Sequence, residues 1–300
     1  MHYLFLRGIS KAATKNTDMW LNLFTKIVGK NDTGEMVCFG EPYYKKVSEN
    51  FVIKTMPSID NYQSDPDIIF VRGRFKEWIN FLTKHKSVKK IYYGAGNNGS
   101  NPNTTIYYDI ILSDCQNQLD AIIKTHPKSK CVAWAKPAHE IFTPPKIYTN
   151  EYDICFIGNG KRPHKGHLFV KETCPKDIKI LHLGTQSEVD EMPNVTQILS
   201  EHNEMPKWIG KCKIGIVPYS SKDSCPRVIP EMLACGIPIV AFNTVNFWHN
   251  LYKDVIVTDT KNFWNTVKNT SIDNKQISDR YNNEISVLKV ADFLRKLCME

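Results

Sequence analysis

Residues 214–241 read Ile214-Gly-Ile-Val-Pro-Tyr-Ser-Ser-Lys-Asp-Ser-Cys-Pro-Arg-Val-Ile-Pro-Glu-Met-Leu-Ala-Cys-Gly-Ile-Pro-Ile-Val-Ala241. Two apolar runs, 214–217 and 238–242, bracket a polar loop and a short segment with helical spacing. Runs this short and this apolar suit strands buried on both faces, the signature of a parallel sheet. Gly236 suits the left-handed position after a helix, and Pro238 follows as a stop. Pro230 lacks an N–H and fits only the first turn of a helix, so the helix is expected to begin at Arg227 or Val228. Free amides of that first turn form a place for an anion, with Arg227 beside it. Asp223 falls in the loop before the helix and Glu231 within it. On spacing alone two readings stay open. Either the carboxylates serve different parts of one ligand, or Asp223 caps the helix and Glu231 is solvated.

The same strand–loop–helix rhythm extends in both directions. Strands are expected at 2–6, 35–39, 68–71, 90–93, 110–113 and 131–134, then at 154–158, 178–183, 214–217, 238–242 and 255–257. Helices are expected between them at 17–28, 75–85, 116–125, 165–174, 205–211 and 228–235, with a helical tail from about 277 to 299. The stretch from 135 to 152 breaks the rhythm with Pro137, Pro144 and Pro145 and reads as a linker. The expected fold is α/β, with two Rossmann-like doubly wound domains, 1–148 and 149–300, facing a cleft, and a C-terminal helix that crosses back.

Composition bounds the rest. Three hundred residues at 42% hydrophobic content support a sizeable core and exclude wholesale disorder. The nine cysteines form no C-x-x-C pair and are odd in number, so neither a disulfide framework nor a zinc site is expected. The opening Met-His-Tyr-Leu-Phe-Leu-Arg is too short an apolar run for a signal peptide, and no run approaches a membrane span. A soluble, cytoplasmic protein is the expectation. The net charge of +8 is uneven: residues 1–150 carry 20 basic and 13 acidic side chains (+7), residues 151–300 carry 19 and 18 (+1). Such asymmetry speaks to partners.

The 214–241 run resembles the carboxyl-terminal signature of GT-B-fold, retaining glycosyltransferases of the group-1 class. That pattern is an acidic residue, seven residues, a Glu, then Ala-Met-Ala-Cys-Gly-x-Pro-Val-Val-Ala. Here Asp223, seven residues, Glu231 and Met-Leu-Ala-Cys-Gly-Ile-Pro-Ile-Val-Ala stand in the same order. The resemblance implies that Asp223 contacts the donor sugar and Glu231 binds the ribose hydroxyls of the nucleotide. Two departures stand out: Asp replaces the usual Glu at 223, and the glycine-rich stretch after it is Ser224-Cys225-Pro226. Pro226 offers no amide to a sugar.

A second segment, Ile157-Gly-Asn-Gly-Lys-Arg-Pro-His-Lys-Gly166, resembles the loop that opens the second domain of these enzymes, where an Arg and a Lys-Gly grip the donor diphosphate. Gly158 and Lys165-Gly166 match. The loop is one residue longer, so Lys161 or Arg162 takes the place of the usual Arg; the alternative is a solvated basic loop. Leu6-Arg7-Gly8-Ile9-Ser10 follows the first strand, where the resemblance places Gly8 and Ser10 near the donor. It implies a metal-independent transfer of a sugar from a nucleotide-diphosphate sugar, with no cofactor, to an acceptor hydroxyl. The basic clusters at 72–76, 84–90 and 124–130 would favour an anionic acceptor: a DNA base in a duplex, a lipid-linked acceptor at a membrane or an acidic glycan. Phe75, Trp78 and Phe81 beside them suit a membrane surface. The contrasting reading is a catalytically inactive nucleotide-sugar-binding protein.

Three decoys are set aside. Gly94-Ala-Gly-Asn-Asn-Gly99 matches a dinucleotide fingerprint but is followed by turn residues, where that fingerprint must open a helix. Asp65-Pro-Asp67 is expected to be a turn. His164 and His167 are expected on the surface, and His182 in the core or at a cleft edge.

Overall fold

The computed structural model describes residues 1–8, 18–59, 62–73, 77–93, 102–220 and 225–300. The chain divides into two compact units, Met1–Trp134 with Val290–Glu300, and Ala135–Lys289.

The first unit carries β1 (His2–Arg7), α1 (Met19–Ile27), β2 (Thr33–Phe39), β3 (Tyr43–Ser48), β4 (Phe51–Met56), β5 (Ile68–Arg72), α2 (Glu77–Lys84), β6 (Lys89–Tyr93), β7 (Ile110–Ser113), α3 (Gln116–Thr125) and β8 (Lys130–Ala133). Its sheet runs β3-β4-β2-β1-β5-β6-β7-β8, parallel throughout except for β3 against β4. Asp18 caps α1 by accepting the Leu21 amide at 3.0 Å. From that start Trp20, Leu23, Phe24 and Ile27 recur at helical spacing and are buried on the sheet. The β3–β4 hairpin has no counterpart among the expected strands. The edge strand β3 is exposed and carries Lys45 and Lys46, a usual guard against edge-to-edge pairing.

The second unit holds β9 (Tyr152–Ile157), α4 (His167–Thr173), β10 (Ile180–Leu183), β11 (Val195–Ile198), α5 (Met205–Ile209), β12 (Cys212–Val217), α6 (Val228–Ala234), β13 (Ile239–Phe242), β14 (Val255–Thr258), α7 (Phe263–Asn269) and α8 (Asn274–Glu284). The sheet order is β11-β10-β9-β12-β13-β14, all parallel. Gly236 ends α6 at φ +76, as its sequence position implies. The expected single helical tail is two helices, α8 and then α9 (Val287–Met299). Residues Val290–Glu300 belong to the first unit, where the Lys89 ammonium donates to the Cys298 carbonyl at 3.0 Å.

The proline-rich stretch after Trp134 is no free hinge. It packs on the second unit: Phe142 is buried, the Ala138 amide donates to Tyr281 Oη at 2.8 Å, and Tyr148 Oη donates to the Cys235 carbonyl at 2.9 Å. Trp78 and Phe81, expected beside a membrane-facing patch, are core residues at 1% and 4% exposure. Their helix is amphipathic, and its apolar side is spent on the sheet. Phe75 lies outside the described residues. None of the described helices is long and apolar enough to cross a membrane.

Candidate functional site

In the second unit the chain reverses its progress across the sheet between β9 and β12. Ligands of open α/β sheets bind outside the strand ends at such a switch point. A cavity of about 290 Å³ opens there, toward the low end for a small-molecule site. Its apolar wall includes Leu183, Leu199, Met205 and Val228. Its polar groups come from Asn159, Lys165, Thr185 and Ser200. Gly158 forms part of the floor, immediately past β9.

The loop after β9 is held by its own hydrogen bonds. The Gly160 amide donates to Thr185 Oγ1 at 3.0 Å, Thr185 Oγ1 donates to Asn159 Oδ1 at 3.0 Å, and the Lys161 amide donates to Asn159 Oδ1 at 2.9 Å. A 3₁₀ turn, Pro163–Lys165, follows and hands the chain to α4 through Gly166 at φ +80. A Cβ at Gly166 would lie 2.1 Å from the Pro218 carbonyl oxygen, so both conformation and space demand glycine. The Lys165 ammonium then sits 3.9 Å from the centre of the Tyr219 ring. Tyr219 is itself fully buried, its hydroxyl donating to the Ile157 carbonyl. A cation is thereby fixed at the mouth of two strands.

Glu231 is buried at 6% exposure, which rules out a merely solvated role. Its Oε1 lies 3.3 Å from His202 Nε2, the two held on α6 and on the turn before α5. Phe142 packs edge-on against the His202 ring at 5.1 Å. Sequence reading missed His202, the partner of Glu231, as well as Tyr219 and Asn159, which line the cavity.

The expected residues are distributed unequally. Gly158 and Lys165 line the cavity, and Glu231 lies on the helix whose first residue, Val228, lines it too. Lys161 and Arg162 are exposed on the loop and do not line it. Arg227 precedes α6, exposed and making no side-chain cap. The first-turn amides of α6 are less free than expected, because Ile229 donates to the Pro226 carbonyl at 3.0 Å. Gly8 lies in the first unit, one residue past β1. Asp223, Ser10 and the Gly94–Gly99 run fall outside the described residues. Cys225 holds φ +40, so the backbone follows a glycine-like path although the residue is Cys.

The histidines divide. His182 is fully buried, with Nδ1 2.7 Å from Asp190 Oδ1 and Nε2 3.1 Å from the Gly158 carbonyl, bracing the floor of the cavity from behind. His167, expected on the surface, is buried at 2% exposure because it opens α4 on the sheet side, packed at 4.9 Å from Phe156. Burial, with the nearby His182, lowers its pKa to about 4. Asp67 of the Asp65-Pro-Asp67 turn accepts the His2 amide at 2.6 Å. Among the described residues no three His, Cys, Asp or Glu side chains converge as a metal site would require.

No protein-family profile matches the chain. A stretch is 29% identical over 109 residues to the phosphatidyl-myo-inositol mannosyltransferase of Propionibacterium freudenreichii subsp. shermanii, spanning 34% of this chain and 28% of that protein. Among solved structures, sucrose-phosphate synthase from Thermosynechococcus elongatus superposes with a TM-score of 0.73 at 10% identity, covering 99% of this chain and 98% of that one. Anabaena HepE in complex with UDP gives a TM-score of 0.68 at 11% identity, with 100% of each chain covered. With two parallel-sheet α/β units, the chain has the fold of the GT-B glycosyltransferases.

Proposed function

We propose that the chain is a glycosyltransferase that takes its sugar from a nucleotide-diphosphate sugar, held in the cavity between β9 and β12. The observation that carries this reading is the pairing of a fixed cation, Lys165, with a buried carboxylate, Glu231, at one switch point. The chemistry is complementary. The apolar wall of Leu183, Leu199, Met205 and Val228 suits a nucleobase, and a carboxylate is the natural acceptor for two ribose hydroxyls. The Lys165 ammonium neutralises the diphosphate as it leaves, and Arg162 and Lys161, exposed on the same loop outside the cavity lining, are assigned to it on the sequence resemblance alone. Asp223 contacts the donor sugar. Gly158 and Arg227 complete the donor set. Transfer proceeds with retention and without a metal, the donor phosphate and backbone groups guiding the acceptor hydroxyl to the same face. The positive excess of residues 1–150 favours an anionic acceptor.

The likeness to a UDP complex supports UDP as the first nucleotide to try. Calorimetric titration of UDP into the wild type and Glu231→Ala tests the reading; equal affinities would refute the site. The second reading, a nucleotide-sugar-binding protein without turnover, draws on Pro226, which has no amide to offer a donor sugar. It predicts the same Glu231-dependent binding with no release of nucleotide from any donor.

A further inference from the structure

In the first unit the chain reverses its progress across the sheet between β1 and β5. The two strands end at Arg7 and Arg72, which are direct neighbours in the register. Tyr93 ends β6, one position beyond the Val71–Tyr92 pair. Strand alternation puts Phe5 and Arg7, Phe70 and Arg72, and Ile91 and Tyr93 on one face. That face is covered by α1: Phe5 stacks on Phe24 at 4.2 Å, and Tyr93 meets Trp20 at 4.8 Å and Phe24 at 5.4 Å. Two guanidinium groups and a phenol hydroxyl therefore cap an aromatic layer at the switch point of the sheet.

Their partners are unequal. Arg7 is a closed pair, its two terminal nitrogens on the two Asp18 oxygens at 2.7 and 2.9 Å. The Arg72 guanidinium lies 4.5 Å from the Trp20 ring centre, and no carboxylate among the described residues forms an ion pair with it. Asp18 is committed to Arg7 and to the Leu21 amide, and Asp114 accepts the Trp134 indole N–H at 3.0 Å. The Tyr93 hydroxyl is buried and has no hydrogen-bond partner among the described residues. Burial lowers the pKa of Arg72 and raises that of Tyr93, each the direction expected of a group short of counter-partners. An indole face does not neutralise a cation, and an unmet buried donor is unfavourable in the free chain. An anion would relieve both.

We propose that this layer is an anion site that receives a phosphate ester, with the Arg72 fork on two phosphate oxygens and the Tyr93 hydroxyl on a third. A carboxylate would spend both oxygens on the fork and leave Tyr93 unmet; a phosphate monoester has a third terminal oxygen to give. The role assigned to it, the phosphate handle of the sugar acceptor, rests on the glycosyltransferase reading; the binding itself does not.

The test is calorimetric titration of glucose 6-phosphate into the full chain saturated with UDP, with glucose as the uncharged control. A second arm measures co-sedimentation with phosphatidylinositol vesicles, which separates a soluble sugar phosphate from a lipid headgroup. The site predicts binding of one phosphate probe and not of glucose. Arg72→Met should weaken that binding by about 30-fold or more, Arg72→Lys by about 10-fold and Tyr93→Phe by about 5- to 20-fold. Tyr93→Phe should leave the unfolding midpoint of the free chain unchanged or raised, since it removes an unmet hydroxyl; a purely structural role would lower it. Failure of both probes to bind, or binding indifferent to Arg72→Met and Tyr93→Phe, would overturn the proposal. Should UDP itself not bind, the donor reading falls, and the same titration without UDP still decides this one.

Discussion

Replacing Glu231 separates a ligand-binding carboxylate from a structural one. Among the described residues the Glu231 carboxylate has one side-chain hydrogen-bond partner, His202 Nε2 at 3.3 Å, and the residue is buried on α6. A hydroxyl donating to a carboxylate contributes about 1.5–3 kcal/mol. Two ribose hydroxyls on one carboxylate, allowing for their coupling, should contribute about 3–4 kcal/mol, or a factor of about 10² to 10³ in affinity. Glu231→Ala should therefore weaken UDP binding by that factor, while Glu231→Gln, which keeps one acceptor oxygen and loses the charge, should cost about 10- to 30-fold. Folding stability should fall by only about 1–2 kcal/mol, because His202 is itself partly exposed and loses a single partner. The discriminating ligand is 2′-deoxy-UDP. The wild type should bind it about tenfold more weakly than UDP, and Glu231→Ala should scarcely distinguish the two. Isothermal titration of both ligands into both proteins completes the cycle. A Glu231→Ala protein that binds UDP within twofold of wild type, or that still discriminates against the deoxy ligand in full, would refute the assignment.

Lys165→Ala should weaken UDP by about 10- to 100-fold and uridine by less than about twofold, read by titration of the two, if the ammonium serves the diphosphate as proposed. Gly166→Ala should lower folding stability by about 2–4 kcal/mol in urea unfolding, from a φ of +80 and a Cβ 2.1 Å from the Pro218 carbonyl oxygen. His167 has a folded pKa of about 4, below its unfolded value. The unfolded chain therefore binds the proton first as pH falls. The wild type should lose on the order of 1–3 kcal/mol between pH 6.5 and 4 from this group, a loss that His167→Leu should lack in urea unfolding followed across that range. His182→Ala should lower stability by about 2–4 kcal/mol, since it empties a fully buried position and takes the ring from Asp190 Oδ1, whose other oxygen still accepts the Ser187 amide, and from the Gly158 carbonyl; the thermal midpoint would report it.

The fold was legible where chemistry is local. The strand at 214–217 is apolar throughout because it is buried on both faces, and Pro230 with Gly236 marks the ends of the following helix within the chain itself. The β3–β4 hairpin escaped because its edge strand, Tyr43-Tyr-Lys-Lys-Val-Ser, shows no apolar run, and Lys54 interrupts its partner. Strand β11 escaped for a similar reason, being short, at the edge and only half-buried. The helical period of the tail runs on across the break between α8 and α9, so periodicity alone joined them. At the site, Lys165-Gly166 was picked out by the resemblance alone, because half of the constraint on Gly166 comes from the Pro218 carbonyl oxygen, far away in the chain. The approach of His202 to Glu231 was not legible, since it joins residues far apart in the chain that no local pattern relates. Nor was the burial of His167, which follows from the way α4 lies on β9.

The most direct test of the account is nucleotide release from a panel of UDP-, GDP- and ADP-sugars, offered with phosphate-bearing and neutral acceptors. At least one donor should release its nucleoside diphosphate with transfer of the sugar, and Lys165→Ala and Glu231→Ala should each reduce this at least about 100-fold. Release that is unaffected by both substitutions, or no binding and no release with every donor, would contradict the glycosyltransferase reading.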